Sequence, residues 1–200
     1  MHLDSISCFV AGFFGVPDSM NMNAKLSVGL FKGKTILVTG GTGSFGGYFI
    51  DYLLGKNFKE IRVFSRDELK QDDMRLRLQN PKVKFYIGDV RDRSSVDDAM
   101  AGVDYVFHAA ALKQVPTCEF FPMQALQTNV IGSQNVIESA ISHGVSKVVS
   151  LSTDKAVYPV NALGITKALM EKVVQSASRK LSEGQTILTL VRYGNVLFSR

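Results

Sequence analysis

Thr39-Gly40-Gly41-Thr42-Gly43-Ser44-Phe45-Gly46 stands directly after the apolar, β-branched run Lys34–Thr39 (KTILVT) and opens a helical stretch beginning at Phe45. The first glycine permits a tight turn, the second lets the backbone approach a pyrophosphate, and the third allows close helix–sheet packing. Amide hydrogens at the helix start then face the phosphates. A glycine triplet alone says little, but a strand before it and a helix after it are the context that a dinucleotide-binding turn requires.

Outward from this turn, short apolar runs alternate with amphipathic stretches. Glu60–Phe64, Val83–Ile87, Asp104–His108, Lys147–Ser152 and Thr186–Val191 join Lys34–Thr39 as six strands, nearly continuous in hydrophobicity, as strands buried on both faces must be. Helices are predicted over Phe45–Leu54, Glu68–Leu78, Ser94–Met100, Met123–His143 and Ala162–Leu181. The fourth carries Leu126, Val130, Val136, Ile137, Ala140 and Ile141 mainly on one face, and Gly144 supplies its stop. Such alternation predicts right-handed crossovers and an α/β doubly wound parallel sheet, its ligand crevice at the carboxyl ends of the strands.

The 200 residues hold one large domain at most one and a half, and 46% hydrophobic with 20% charged residues excludes disordered, collagenous and coiled-coil chains. The net charge of +5 comes from scattered residues, so no nucleic-acid-binding patch is expected. Cys8 and Cys118 lack a CxxC or histidine-spaced pattern, which argues against disulfides and zinc and suits a reducing cytoplasm. Residues 1–30 are read as a poorly ordered leader, with Met20 or Met22 as alternative natural starts, and 31–200 as the folded domain. The leader's apolar run Ile6–Val16 is too short for a stable membrane span and follows Asp4 rather than a positive charge.

The choice of dinucleotide falls about twenty residues beyond the glycines, at the end of the second strand. An acidic residue there suits the ribose 2′-hydroxyl of NAD. This chain has Ser65-Arg66 and then Lys70, a hydroxyl and two cations that suit the 2′-phosphate of NADP. Asp67 and Glu68 leave NAD open, since a one-residue shift in register brings a carboxylate forward. Asp89-Val90 after the third strand fit the adenine edge, and Ala109-Ala110-Ala111 after the fourth let the cofactor pass closely.

TGGTGSFG at 39–46, GDVRD at Gly88–Asp92, HAAALKQVP at His108–Pro116, LSTDKAVYP at Leu151–Pro159 and RYGNV at Arg192–Val196 together resemble the extended short-chain dehydrogenase/reductases, which have an NAD(P)-binding Rossmann fold. SRDELKQDDM at Ser65–Met74 and the Ser-Thr-Asp-Lys tetrad at 152–155 narrow the resemblance. They are similar to the inverting UDP-N-acetylglucosamine 4,6-dehydratases (4,6-dehydratase/5-epimerases) of bacterial capsule, O-antigen and flagellin-glycan synthesis, from about Phe31 to Arg200. The resemblance implies NADP as cofactor, a UDP-N-acetyl-hexosamine substrate and a homo-oligomer when full length. It implies cofactor contacts from Gly40, Thr42, Gly43, Ser44, Phe45, Gly46, Ser65, Arg66, Lys70, Asp89, Val90, Ala109, Ala110, Ala111, Lys113, Lys167 and Asn195. Extended members continue well past the sixth strand, so UDP-binding residues are expected beyond Arg200.

The same resemblance places Thr153, Asp154, Lys155 and Lys167 in the catalytic set. Once C4 is a ketone the C5 hydrogen is acidic enough for an amine, and the departing C6 hydroxyl needs a proton. Lys155 is expected to be the base, with its pKa lowered by burial and neighbouring cations, and Asp154 the acid, its proton retained by desolvation. One departure stands out. The superfamily's Tyr-x-x-x-Lys falls on Leu163-Gly164-Ile165-Thr166-Lys167, so no phenol is present; a subset of the resembled enzymes carries Met there. Other readings are blander: no metal at His108 or His143, Lys113 in contact with the nicotinamide side or substrate phosphates, Asn129 tying its helix to the fourth-strand loop, and Cys118 structural in that loop. A UDP-hexose 4-epimerase and a non-catalytic NADP-binding regulator are the alternative functions; Asp154-Lys155 argues against both.

Overall fold

A computed structural model describes residues 29–194, so residues 1–28 of the leader and Asn195 lie outside the described residues, while Leu30 packs against the core. The chain runs β1 (Thr35–Thr39), α1 (Ser44–Leu54), β2 (Glu60–Ser65), α2 (Glu68–Leu78), β3 (Val83–Ile87), α3 (Arg93–Met100) and β4 (Tyr105–His108). It continues through α4 (Val115–Phe120), α5 (Pro122–Leu126), a π-helical turn (Gln127–Ile131), α6 (Gly132–Ser142), β5 (Lys147–Thr153), a 3-10 turn (Asp154–Ala156), α7 (Ala162–Ser178) and β6 (Ile187–Tyr193). The six strands form one parallel sheet in the order β3-β2-β1-β4-β5-β6. Strand order reverses between β1 and β4, where Thr39 is in register with Phe64 on one side and His108 on the other. That switch point puts a crevice over the carboxyl ends of these strands.

Alternation along each central strand divides the core between two faces. Ile36, Val38, Phe107 and Val149 pack with Phe49, Ile50 and Leu53 of α1. Leu37, Val106 and Val148 point the other way, onto Val96 and Met100 of α3 and Val136 and Ala140 of α6.

Three expectations need correction. Strands β3 and β6 are not buried on both faces: β3 buries Val83 alone and β6 buries none of its seven residues, because each forms an edge of the sheet. The helix read over Met123–His143 is continuous from 122 to 142 but widens into a π-helical turn, where Gly132 N–H reaches back to the Gln127 carbonyl and Thr128, Asn129 and Val130 are all buried in succession. The segment after β4 is not all loop. Residues 115–120 form α4, with Pro116 in its first turn, and Cys118 sits buried on that helix. Among the described residues no helix is long and apolar enough to cross a membrane.

Phe49 is fully buried with its ring 4.1 Å from that of Phe107. Phe49→Ala is expected to cost about 3–5 kcal/mol in denaturant unfolding. The exposed Leu76→Ala serves as the reference and should stay within about 0.5 kcal/mol of the unmutated chain.

Candidate functional site

The turn after β1 is built from backbone packed against backbone. Gly40 has φ +65°, and a Cβ there would lie 2.8 Å from the Ala110 amide nitrogen; one on Gly46 would lie 2.4 Å from the Gly40 carbonyl oxygen. Gly40 and Gly41 N–H donate to the Phe64 carbonyl, which ties the turn to β2. Gly43 precedes α1 and has no side chain to cap it, so the positive end of the helix dipole opens toward the crevice.

The crevice is a cleft of about 320 Å³. It is lined by Gly40, Thr42, Gly43, Ser44, Phe45, Gly46, Ser65, Arg66, Lys70, Asp89, Val90, Ala109, Ala110, Ala111 and Lys113, the expected cofactor set apart from Lys167 and the undescribed Asn195. Phe64, Asp67, Gly88, Thr128 and Tyr193 also line it. The Thr128 hydroxyl is buried with no hydrogen-bond partner, as a group held for a ligand is. No periodicity marks Thr128 in the sequence, because the π-helical turn that buries it interrupts the helical repeat. Tyr193 stacks on Phe45 with ring centroids 6.2 Å apart, and burial raises its phenol pKa. The glycine cradle, the helix terminus and the orphan hydroxyl fit a dinucleotide.

At one end of the cleft, the Ser65 hydroxyl accepts from Gln71 Nε2 at 3.1 Å. The Arg66 side chain is 54% exposed and reaches Asp89 Oδ2 at 3.4 Å. Asp67 caps α2 by accepting from the Lys70 amide, and its carboxylate pairs with Lys70 Nζ at 2.8 Å. The hydrogen bond from Lys70 holds the Asp67 carboxyl below its ordinary pKa.

The tetrad spans the end of β5 and the 3-10 turn after it, and Thr153 is in register with the cleft residue Tyr193. The tetrad residues Thr153, Asp154 and Lys155 do not themselves line the cleft. Asp154 Oδ1 accepts from the Thr153 hydroxyl at 2.9 Å, the Lys155 amide at 2.8 Å and Lys155 Nζ at 3.2 Å. The desolvation expected for Asp154 is not found: its side chain is 52% exposed, and the Thr153 and Lys155 hydrogen bonds hold its pKa below the ordinary value. The neighbouring cation expected for Lys155 is likewise replaced by an anion, the Asp154 carboxylate.

Lys167 is buried on α7, donating to the Leu151 carbonyl at 2.8 Å, rather than opening onto the cleft. Burial lowers its pKa to about 8, against the opposing charge of Glu171. Glu171 is itself held below its ordinary pKa by Arg192, and it also accepts from Ser152. Leu163, in the superfamily's tyrosine position, is 5% exposed and packs with Cys118 and Ala125. A Cβ on Gly164 would stand 2.4 Å from the Lys155 carbonyl oxygen, so the start of α7 rests directly on the tetrad backbone.

Asn129 ties its helix to the β4 loop as expected. It accepts from the Leu112 amide and donates to the Leu112 carbonyl and the Thr166 hydroxyl. Beneath it, His108 hydrogen-bonds Thr39 Oγ1 at 2.7 Å and Ser133 Oγ at 2.8 Å. Burial, reinforced by the charge of Lys167, pushes the His108 imidazole down to about 3, so it is neutral and joins β1, β4 and α6. Burial raises the pKa of the Cys118 thiol, in keeping with a structural residue. Among the described residues no group of three or more His, Cys, Asp and Glu is placed to hold a metal.

The family described as "Polysaccharide biosynthesis protein" matches residues 36–200. The chain belongs to this family. A relative named UDP-glucose 4-epimerase from Rickettsia felis is 60% identical over 175 residues, covering 86% of this chain and 51% of that protein. The chain spans about half the length of the curated relatives it matches. Among solved structures, Pen from Bacillus thuringiensis is 41% identical with a TM-score of 0.83, covering 86% of this chain and 53% of that one. The dTDP-glucose 4,6-dehydratase of Streptomyces venezuelae, solved with NAD and TYD bound, is 25% identical with a TM-score of 0.72, covering 79% and 55%. The family fold is thus the Rossmann-type sheet of the extended short-chain dehydrogenase/reductases.

His108 sets a pH dependence. Above its ordinary value of 6.5 it is neutral folded and unfolded, and contributes no slope. Below 6.5 the unfolded imidazole takes up a proton that the folded one refuses until about 3, so stability falls as pH falls through that window. The slope reaches at most about 1.4 kcal/mol per pH unit. Denaturant unfolding at pH 7 and pH 5 should show this loss in the unmutated chain and a flatter profile in His108→Asn. An unchanged slope in the variant would assign the dependence elsewhere.

Proposed function

We propose that this chain is the cofactor-binding part of an NADP-dependent UDP-N-acetyl-hexosamine 4,6-dehydratase that also inverts C5. The observation that carries the reading is the Asp154–Lys155 pair, joined at 3.2 Å one residue past the strand position in register with Tyr193 at the cleft. Reversible oxidation at C4 alone has no use for an acid and a base at C6 and C5. Arg66, with Ser65 and Lys70 beside it in the cleft, supports the choice of NADP over NAD.

NADP, when bound, supplies a hydride acceptor for C4 and a hydride donor for C6. Lys155 takes the C5 proton after C4 has become a ketone, and Asp154 protonates the C6 hydroxyl as it leaves as water. C5 is then reprotonated on the opposite face. Asp154 can act as an acid only after the arriving sugar displaces solvent from it and raises its pKa from the depressed value it has here. Lys113, exposed at the cleft, would contact the nicotinamide side of the cofactor or the substrate phosphates. With Leu163 packed in an apolar cluster, no phenol at that position takes the O4 proton.

A UDP-hexose 4-epimerase is the second reading, favoured by the name of the 60%-identical relatives. Incubation of the full-length protein with UDP-N-acetylglucosamine and NADP, followed by NMR, separates the two. A 4-keto, 6-deoxy product is expected; a C4 epimer without loss of water would establish the epimerase instead. In the same assay Lys155→Met should bind NADP yet wash no solvent deuterium into C5, and exchange at the normal rate would remove Lys155 from the base role.

Calorimetric titration of the unmutated chain should show tighter binding of NADP than of NAD. Arg66→Ala should erase most of that preference by weakening NADP about ten- to a hundred-fold, the loss of a charge-assisted pair of roughly 1.5–3 kcal/mol. Equal binding of both cofactors by the unmutated chain would overturn the NADP assignment.

A further inference from the structure

Arg66 and Arg91 compete for one carboxylate. Asp89 Oδ2 accepts from Arg91 Nη2 at 2.5 Å and Nε at 2.8 Å, and from Arg66 Nη1 only at 3.4 Å. Asp89 Oδ1 accepts from the Arg91 amide at 3.0 Å, which closes the loop onto itself. The remaining arm of Arg91 is anchored across the loop, Nη1 donating to Gln124 Oε1 on α5 at 2.8 Å. Arg91 therefore holds Asp89 along two edges and is itself fixed at both ends. It does not line the cleft, whereas Asp89 and Arg66 do.

We infer that Arg91 is a specificity-determining, positioning residue: by occupying Asp89 it leaves Arg66 available to an anionic group at the end of the cleft. This rests on the proposed assignment of NADP. Lys70 is already engaged by Asp67 at 2.8 Å, so Arg66 is the cation at this end of the cleft whose carboxylate contact is long. Without Arg91, Arg66 and Asp89 make a one-to-one ion pair, the local charge falls by one, and a phosphate dianion has to break that pair to reach the guanidinium. Burial works to raise the Asp89 pKa, but the hydrogen bonds and charge of Arg91, with that of Arg66, hold it below its ordinary value, so the carboxylate is charged and able to capture Arg66.

The test is the ratio of NADP to NAD affinity, measured by calorimetry on the unmutated chain, Arg91→Met, Asp89→Asn and the double variant. Arg91→Met should lower the ratio about tenfold through weaker NADP binding with NAD little changed. Asp89→Asn should raise the ratio above that of the unmutated chain, and the double variant should regain the preference lost in Arg91→Met. Equal weakening of both cofactors in Arg91→Met would make the residue merely structural and overturn the inference. Failure of Asp89→Asn to raise the ratio would overturn it also, and that arm stands even where Arg91→Met does not fold. Absence of any NADP preference in the unmutated chain would instead remove the NADP assignment on which the inference rests.

Discussion

Where β1 ends the chain turns so tightly that backbone meets backbone, with the Gly40 carbonyl against Gly46 and the Gly40 α-carbon against the Ala109–Ala110 peptide. No side chain fits between these segments. The contact brings the start of α1 down onto the strand end and fixes the β4 loop as the opposite wall of the cleft. Thr39 reinforces it from below, its hydroxyl shared between the His108 imidazole and the Ala110 amide. Because His108 also reaches Ser133, the same network reaches α6 and the π-helical turn that presents Thr128. The shape of the cleft is thus decided by the absence of atoms at two glycines and by one neutral, buried histidine.

Much of this was legible in the sequence because its causes are local. The six strands are apolar runs, and the turn between β1 and α1 carries glycines at the positions where the backbone has to pass closely. The helix starts read at Glu68 and Ala162 coincide with the observed ones, where Asp67 and Asn161 supply caps. What escaped has non-local causes. The edge exposure of β3 and β6 depends on strand order, which no single run encodes. The π-helical turn carries Asn129, whose partners Leu112 and Thr166 come from elsewhere in the chain, and no local repeat in the sequence marks the extra residue. The protonation of Asp154 depends on how much protein covers it, and residue type is silent on that.

The two ends of the site are built differently. Around the second and third strands Lys70 pairs with Asp67, and Arg91 pairs with Asp89 from behind a cleft that Asp67, Lys70 and Asp89 line. Around the tetrad Asp154 faces solvent and is held by the half-buried Thr153 and Lys155, and the polar groups beneath are locked away: Lys167 on the Leu151 carbonyl, Glu171 between Ser152 and Arg192. On the proposed reading, the walled cleft holds the cofactor, and the more open tetrad is completed by the arriving substrate.

Neighbouring positions at the start of α7 carry opposite freedoms. Leu163 packs with apolar side chains, among them Cys118 and Ala125, that can repack around a different volume, whereas a Cβ on Gly164 would meet the carbonyl oxygen of Lys155, which cannot. Mutation can therefore exchange the chemistry of one residue while the next stays closed to any side chain. The start of α7 is thereby fixed against the main chain of Lys155, so the spacing between that helix and the 3-10 turn is set by backbone rather than by any side chain.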